Sequence, residues 1–271
     1  MRFWPASRPM KTLARAKVNL SLHIIGKRAD GYHLLDSLVV FPEIGDVLRR
    51  KARGFTISGP FAEGLSTTDN LVLKAAELVG KPGGFHLKKN LPVASGIGGG
   101  SADAAAALRL LGAGDIPDSA ALGADVPACL WSKPLRMQGI GERLTPLPPL
   151  PEFSMLLVNT GDPVATGAIF KALDSVDNPP SPPLPEGLSP AAFFTFIRAQ
   201  RNDMQTSAIA QCPGIGAALA ALEAQSHCAL ARMSGSGGTC FGLFATYAQA
   251  ARAAQALRAA HPAWWVRAAR V

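Results

Sequence analysis

Between Pro92 and Asp103 the chain reads Pro92-Val93-Ala94-Ser95-Gly96-Ile97-Gly98-Gly99-Gly100-Ser101-Ala102-Asp103, with only small residues at its two alanines and its first serine. Backbone of this kind lets amide N–H groups approach an anion because few side chains stand in the way. A helix starting directly after it adds unpaired N–H donors and partial positive charge. The chemistry such a segment can do is phosphate binding. A helix dipole contributes about 0.3 to 2 kcal/mol, so most of the affinity falls to several amide hydrogen bonds together. A P-loop would need Gly-Lys followed by Ser or Thr, but Gly26-Lys27 precedes Arg28 and Gly80-Lys81 precedes Pro82. A dinucleotide fingerprint would need Gly or Ala at the sixth position counted from Gly96 as the first, where Ser101 stands. A tight strand-to-helix turn without a ligand is the remaining alternative.

Two further residues could act on a bound phosphate. Asp125 lies in the turn Gly123-Ala124-Asp125-Val126-Pro127, where a carboxylate can face a cleft as a general base; the alternative is a turn-forming Asp bonded to its own backbone. Lys17 precedes a segment in which Val18, Leu20, Leu22 and Ile24 alternate with Asn19, Ser21 and His23. That period of two predicts a half-buried strand, with Lys17 on its polar face. Cys129, Cys212, Cys228 and Cys240 form no C-x-x-C pair and read as reduced buried thiols, not as a zinc or disulfide framework.

The elements that must position these groups intermix along the chain. Strands are expected at Leu38–Phe41, Phe55–Ser58, Phe85–Lys88, Met155–Val158 and Cys240–Phe244, and a last one ends at Val271. Helices are expected from Thr68-Asp69-Asn70 to Val79, over Ala102–Leu111, near Pro163–Leu173, Pro190–Gln200 and Pro213–Gln225, and over Ala248–Ala260. Prolines at Pro146–Pro151 mark a junction, so the chain reads as α+β with two domains, 1–150 and 151–271. Residues 1–12 show no period and read as a loose lead-in. With 271 residues and 48% apolar content the chain can bury a core for each domain.

The net charge is +8, and residues 1–53 hold eleven Lys/Arg against four Asp/Glu. Arg49, Arg50, Lys51 and Arg53 form the basic run, but no aromatic residues interleave for stacking on a nucleic-acid strand, so a solvated face is expected. No apolar stretch reaches the length of a membrane span and no secretory leader pattern is present, which predicts a cytoplasmic protein.

Three separated segments together resemble the GHMP kinase family. The glycine loop is similar to its central phosphate-binding motif, Ala14-Arg15-Ala16-Lys17-Val18-Asn19-Leu20 to its N-terminal motif, and Met233-Ser234-Gly235-Ser236-Gly237-Gly238-Thr239-Cys240-Phe241 to its C-terminal glycine-rich motif. Further segments resemble a member acting on a cytidine-bearing alcohol: Arg28-Ala29-Asp30-Gly31-Tyr32-His33, the Asp125 turn, Gly139-Ile140-Gly141-Glu142, Ala165-Thr166-Gly167-Ala168-Ile169-Phe170, and Asn202-Asp203. The chain departs from the family at Ala94 and Ser95, where glycines are frequent, at Ala102, where a second serine is common, and at Gly167, where proline is frequent.

The resemblance implies an amino-terminal ATP-binding domain like the second domain of a ribosomal protein and a ferredoxin-like substrate domain. It implies ATP as phosphoryl donor, held by Pro92, Val93, Ala94, Ser95, Gly96, Ile97, Gly98, Gly99, Gly100, Ser101 and Ala102, with Asn70 and Lys89 flanking the nucleotide. Mg²⁺ is expected with ATP, and Ser101 is the candidate ligand, directly or through water. Asp125 is implied as base or orienter of the alcohol and Lys17 as its electrostatic partner near the transferring phosphate. Tyr32 and His33 are implied to stack on and hydrogen-bond the cytosine, with Phe170 as the opposite face and Asn19 and Thr166 as polar contacts. A small-molecule substrate, no nucleic acid, no membrane, and a monomer or weak homodimer are expected. The competing readings are another GHMP kinase, of homoserine or mevalonate type, and a basic RNA-binding protein on a kinase-like fold, which would show a steep salt dependence of RNA affinity.

Overall fold

The computed structural model describes residues 10–113 and 117–271, so the start of the expected lead-in at residues 1–12 lies outside the described residues. Along the chain run β1 (Lys11–Arg15), β2 (Val18–Asn19), β3 (His23–Lys27), β4 (His33–Val40), β5 (Gly45–Lys51), β6 (Phe55–Ser58), α1 (Leu71–Leu78), β7 (Gly84–Lys88) and α2 (Gly99–Leu110). After a 3-10 turn at Pro117–Leu122 come α3 (Val126–Trp131), β8 (Leu135–Gly139), β9 (Arg143–Pro146), β10 (Ser154–Asn159), α4 (Thr166–Lys171) and α5 (Pro190–Arg198). Then follow α6 (Gln205–Gln211), α7 (Pro213–Glu223), β11 (Leu230–Met233), β12 (Thr239–Phe244), α8 (Tyr247–Ala260) and β13 (Trp265–Arg270). The described residues form two compact units, each assembled from separate stretches: 10–16 with Ile44–Val93 and the described part of Gly99–Trp131, and Lys17–Glu43 with Ala94–Gly98 and Ser132–Val271. The proline run Pro146–Pro151 joins β9 to β10 inside the second unit.

In the first unit, a sheet of order β1-β5-β7-β6 carries α2 against β1 and β5. Only the β6–β7 pair is parallel. Alanine is the best helix former and its short side chain allows close approach of helix and sheet. Ala102 and Ala104 through Ala107 are fully buried there, and Gly112 closes the helix with a positive φ of 70°. The basic run lies at the end of β5 and just beyond it, with Arg49, Lys51 and Arg53 exposed as expected of a solvated face.

In the second unit, β2, β4, β8 and β9 are successive neighbours and β3 pairs with β4. The other sheet runs β11-β12-β10-β13, antiparallel throughout. Counted along the chain, its four strands stand in the order 2-3-1-4, with α4 to α7 between the first and second and α8 between the third and fourth; this is the ferredoxin-like arrangement. Leu156, Val158, Leu219, Leu222, Phe244, Ala254 and Val266 belong to its core. Helix α8 is fixed at its start by a capping box, Thr246 with Gln249.

The continuous strand expected from Val18 to Ile24 is interrupted. Beyond β2 the chain bends, Leu20 donates its N–H to Leu38 O, and Leu22 bridges Asn202 before β3 begins. Its polar face is not a solvent face either: Lys17, Asn19, Ser21 and His23 are all buried. Buried polar groups are retained where partners exist, and here Ser21 Oγ accepts from Leu38 N while Asn19 Nδ2 donates to Ser37 Oγ at 2.7 Å. The four cysteines are free thiols, and burial pushes Cys240 up to about 12.

Candidate active site

The glycine loop begins after β7 and runs into α2, which starts at Gly99, three residues earlier than its alanines alone predict. Gly99, Gly100 and Ser101 therefore form the first turn of the helix. Within the loop the backbone turns left-handed at every second residue: Ala94 (φ 49°), Gly96 (φ 73°) and Gly98 (φ 63°). Ser95 and Ile97 are buried and anchor the segment between them.

Three successive carbonyls of this loop accept hydrogen bonds: Ser95 O from Thr239 N at 3.1 Å, Gly96 O from Ser234 Oγ at 3.0 Å, and Ile97 O from Lys17 N at 2.9 Å. In a trans peptide the following N–H points opposite to the carbonyl. The N–H groups of Gly96, Ile97 and Gly98 thus face away from those donors, which is the orientation an anion cradle needs. The C-terminal glycine turn between β11 and β12 packs backbone to backbone on the loop. A Cβ at Gly96 would lie 2.5 Å from Ser234 O and 2.6 Å from Gly237 O, and one at Gly235 would lie 2.7 Å from Gly96 O. Asn202 clamps the same turn, its Nδ2 donating to Met233 O at 2.8 Å and to Gly235 O at 2.9 Å. Asp203 accepts from Ile24 N at 2.7 Å, so the Asn202-Asp203 pair ties β3 to the glycine turn.

Within the first unit, Ser101 meets the Asp125 turn. A Cβ at Gly123 would stand 3.7 Å from Ser101 Oγ. Asp125, two residues on, is half-buried directly before α3. Asn70 is the N-cap of α1, its side chain accepting from Val72 N at 3.0 Å, and Asp69 pairs with Lys74. Lys89 is only 3% exposed, with Nζ bonded to Asp46 Oδ2 and, at 2.8 Å, to Asp103 Oδ2. Burial pushes Asp103 up to about 8 against the pull of the Lys89 ammonium, while the two carboxylates hold Lys89 above its ordinary range despite its burial.

In the second unit, Lys17 is buried and Asn19 donates its backbone N–H to Ser234 Oγ at 3.1 Å. Asn19 Oδ1 is fully buried without a hydrogen-bond partner. Thr166, at the start of α4, shares a 2.8 Å hydrogen bond with Ser236 of the glycine turn. Tyr32, His33 and Phe170 line one cavity of about 560 Å³ together with Leu35, Ile140 and Lys27. The turn that presents Tyr32 is closed by Arg28 N to Tyr32 O at 2.8 Å and by left-handed Gly31. The His33 and Phe170 rings stack with centroids 4.7 Å apart, and Tyr32 is 62% exposed. Burial and the Lys27 charge both lower the His33 pKa, which keeps the imidazole neutral. Gly167, where the family frequently has proline, lines the same cavity as Phe170.

Sequence reasoning missed Asp46 and Asp103 as partners of Lys89. Asp103 is visible in the motif, five residues into the helix, but only pairing of β5 with β7 brings Asp46 to it. Ser37 and the backbone interlock between the two glycine segments were likewise invisible, because both depend on long-range register.

The family model for the GHMP kinases N terminal domain matches residues 70–133, and that for the GHMP kinases C terminal matches residues 193–263. The chain is 55% identical over 259 residues to a 4-diphosphocytidyl-2-C-methyl-D-erythritol kinase of Paracoccus denitrificans, with 94% of each chain covered. It is 52% identical over 272 residues to the protein of the same name from Dinoroseobacter shibae, covering 97% of this chain and 95% of that one. A crystal structure of 4-(cytidine 5'-diphospho)-2C-methyl-D-erythritol kinase superposes with a TM-score of 0.76 at 33% identity over 96% of this chain and 98% of the other. Homoserine kinase from Cytophaga hutchinsonii shares the fold at a TM-score of 0.62 and 18% identity, over 99% and 96% of the two chains. The chain therefore belongs to the GHMP kinases and, among them, to the 4-diphosphocytidyl-2-C-methyl-D-erythritol kinase family.

Proposed function

We propose that this kinase transfers the γ-phosphoryl group of ATP to the 2-hydroxyl of 4-diphosphocytidyl-2-C-methyl-D-erythritol, a step of the non-mevalonate route to isoprenoid precursors, in the cytoplasm. The observation that carries the substrate assignment is the aromatic cavity: Tyr32, His33 and Phe170 line one space whose volume suits a small ligand and whose rings suit a nucleobase. A cytosine seated on Phe170 replaces the His33 imidazole as its stacking partner and leaves the neutral ring nitrogens for the edge of the base. Tyr32 then covers the other face. Asn19 and Thr166 supply polar contacts to the rest of the substrate.

The phosphates of ATP go to the amides of the loop Pro92–Ala102 and to the first turn of α2, where the helix terminus favours negative charge. Phosphoryl transfer with a loose transition state asks mainly for alignment and charge neutralisation. Asp125 orients the hydroxyl and takes its proton, and Lys17 offsets the charge that develops on the phosphoryl oxygens. Ser101 Oγ is the group that would hold Mg²⁺, directly or through water, and the ion would supply charge neutralisation for the phosphates.

Calorimetry with CDP tests the base pocket. Saturable binding that is lost on Tyr32→Ala and Phe170→Ala together is the expected result. Failure of CDP to bind, with mevalonate or homoserine binding instead, would reassign the substrate to another GHMP kinase class.

A further inference from the structure

Lys89 is not exposed to a ligand in the way a phosphate-binding lysine is. It lies between two buried carboxyl groups, Asp46, which bonds the backbone where the glycine loop begins, and Asp103, in the helix into which the loop runs. Asp46, on β5, accepts the backbone N–H groups of Asn90 and, at 2.8 Å, Leu91 through Oδ1, and Lys89 Nζ through Oδ2. Asn90 Nδ2 adds a bond to Gly45 O at 3.1 Å. This fixes the chain just where the loop leaves β7. Lys89 then reaches across to Asp103 in α2, just after the loop, and passes under the first turn of the helix, where a Cβ at Gly99 would lie 3.0 Å from Nζ. Asp46 is fully buried, and Asp103 and Lys89 are each only 3% exposed.

Burying two carboxyl groups around one ammonium is not a stabilising arrangement in itself, because desolvation offsets most of the attraction between them. Such a cluster is explained better by the geometry it imposes than by energy it adds. The geometry it imposes is the placement of the chain at Leu91 and at Gly99, the two ends of the segment assigned above to the nucleotide phosphates.

We propose that Asp46, Lys89 and Asp103 are positioning residues that hold the phosphate loop at its working span, and that Lys89 acts through the two carboxylates without touching the nucleotide. The inference rests on the assignment of this loop to ATP. It separates Lys89 from the loop amides: the amides bind, and the lysine keeps them in register. Misplacement of binding groups by about 1 Å costs on the order of 100-fold in well-aligned sites, so loosening either end should be visible in nucleotide affinity.

The test compares Asp103→Ala, which cuts the link to the helix, with Asp103→Asn, whose amide oxygen can still accept from Lys89. Titration calorimetry with a non-hydrolysable ATP analogue and with CDP reads the two ligands separately, and circular dichroism checks folding. Expected are a weakening of ATP-analogue binding by roughly 10- to 100-fold in Asp103→Ala, affinity within about threefold of the parent in Asp103→Asn, and unchanged CDP binding in both. Lys89→Met is expected to match Asp103→Ala. Equal affinity of parent and Asp103→Ala, or a loss confined to Lys89→Met, overturns the inference, the latter by showing direct contact between Lys89 and the nucleotide. Equal loss of both ligands in Asp103→Ala overturns it too, since a general structural role would then suffice. A parent that fails to bind the ATP analogue at all would instead remove the assignment of the loop.

Discussion

Around Gly96 the site is made of backbone, whereas around Phe170 it is made of side chains. The loop is held by carbonyls, by left-handed turns and by a second glycine turn packed so closely that a single methyl group at Gly96 or Gly235 would overlap a carbonyl oxygen. The aromatic cavity is an open space whose character depends on three rings, one of them largely exposed. On the proposed reading, the backbone site takes one ligand feature common to all nucleotides, the phosphate chain. A side-chain site can be redrawn by single substitutions, and so it is where members of one kinase fold can come to differ in the alcohol they accept.

The largest effect should come from neither region. Asp125→Asn is expected to lower kcat by about 10² to 10⁴ while leaving the affinities for an ATP analogue and for CDP within a few fold, as read by steady-state kinetics and calorimetry. An unchanged kcat would remove Asp125 from the chemistry. Next comes Gly96→Ala. The left-handed backbone costs an alanine about 1 to 2 kcal/mol, and the overlap with Ser234 O and Gly237 O adds to it, so binding of the ATP analogue should be abolished and the melting temperature lowered. Gly31→Ala is the control: its φ of 90° carries a similar backbone cost but a Cβ there meets nothing within 4 Å. If the two substitutions behave alike, steric interlock of the glycine segments is not what holds the loop.

On the aromatic side, Phe170→Ala should raise KM for the cytidine substrate by roughly 10- to 100-fold, the worth of one base–aromatic stack, with KM for ATP unchanged. A rise in both would erase the distinction between the regions. The smallest effect concerns His33. Its pKa is lowered by burial first and by Lys27 second, so the neutral form persists below pH 6.5 and any stability tied to it is lost only as pH falls below that value. Lys27→Glu reverses the second contribution, and the His33 titration followed by NMR should move upward, carrying the acid limb of substrate binding with it. No movement would mean that Lys27 does not act on the imidazole.

The same contrast explains what could be read without coordinates. The glycine loop, the Asp125 turn and the helices Ala102–Leu111, Pro190–Gln200 and Pro213–Gln225 were legible because local composition dictates them: glycine where φ must be positive, alanine where a helix lies close on a sheet, proline at a helix start. Most of the strands at the chain's end were legible from apolar runs. The break between β2 and β3 was not, because alternation from Val18 to Ile24 says nothing of the Asn202 and Leu38 contacts that bend the chain there. Burial of Lys17, Asn19, Ser21 and His23 was hidden for the same reason: a polar face is read as wet until its partners, distant in the chain, are known. Strand β5 was overlooked because Arg49, Arg50 and Lys51 mask its pattern, and with it the partner that Asp46 gives to Lys89.

The central claim is that a phosphate-binding backbone and a base-binding aromatic cavity serve one reaction. Purified protein incubated with ATP, Mg²⁺ and 4-diphosphocytidyl-2-C-methyl-D-erythritol, followed by ³¹P NMR, tests it most directly. The expected spectrum shows ADP and a new phosphomonoester at the 2-position in equal amounts. Intact ATP and substrate in an enzyme that still binds both ligands, or transfer to mevalonate or homoserine in preference, would contradict it.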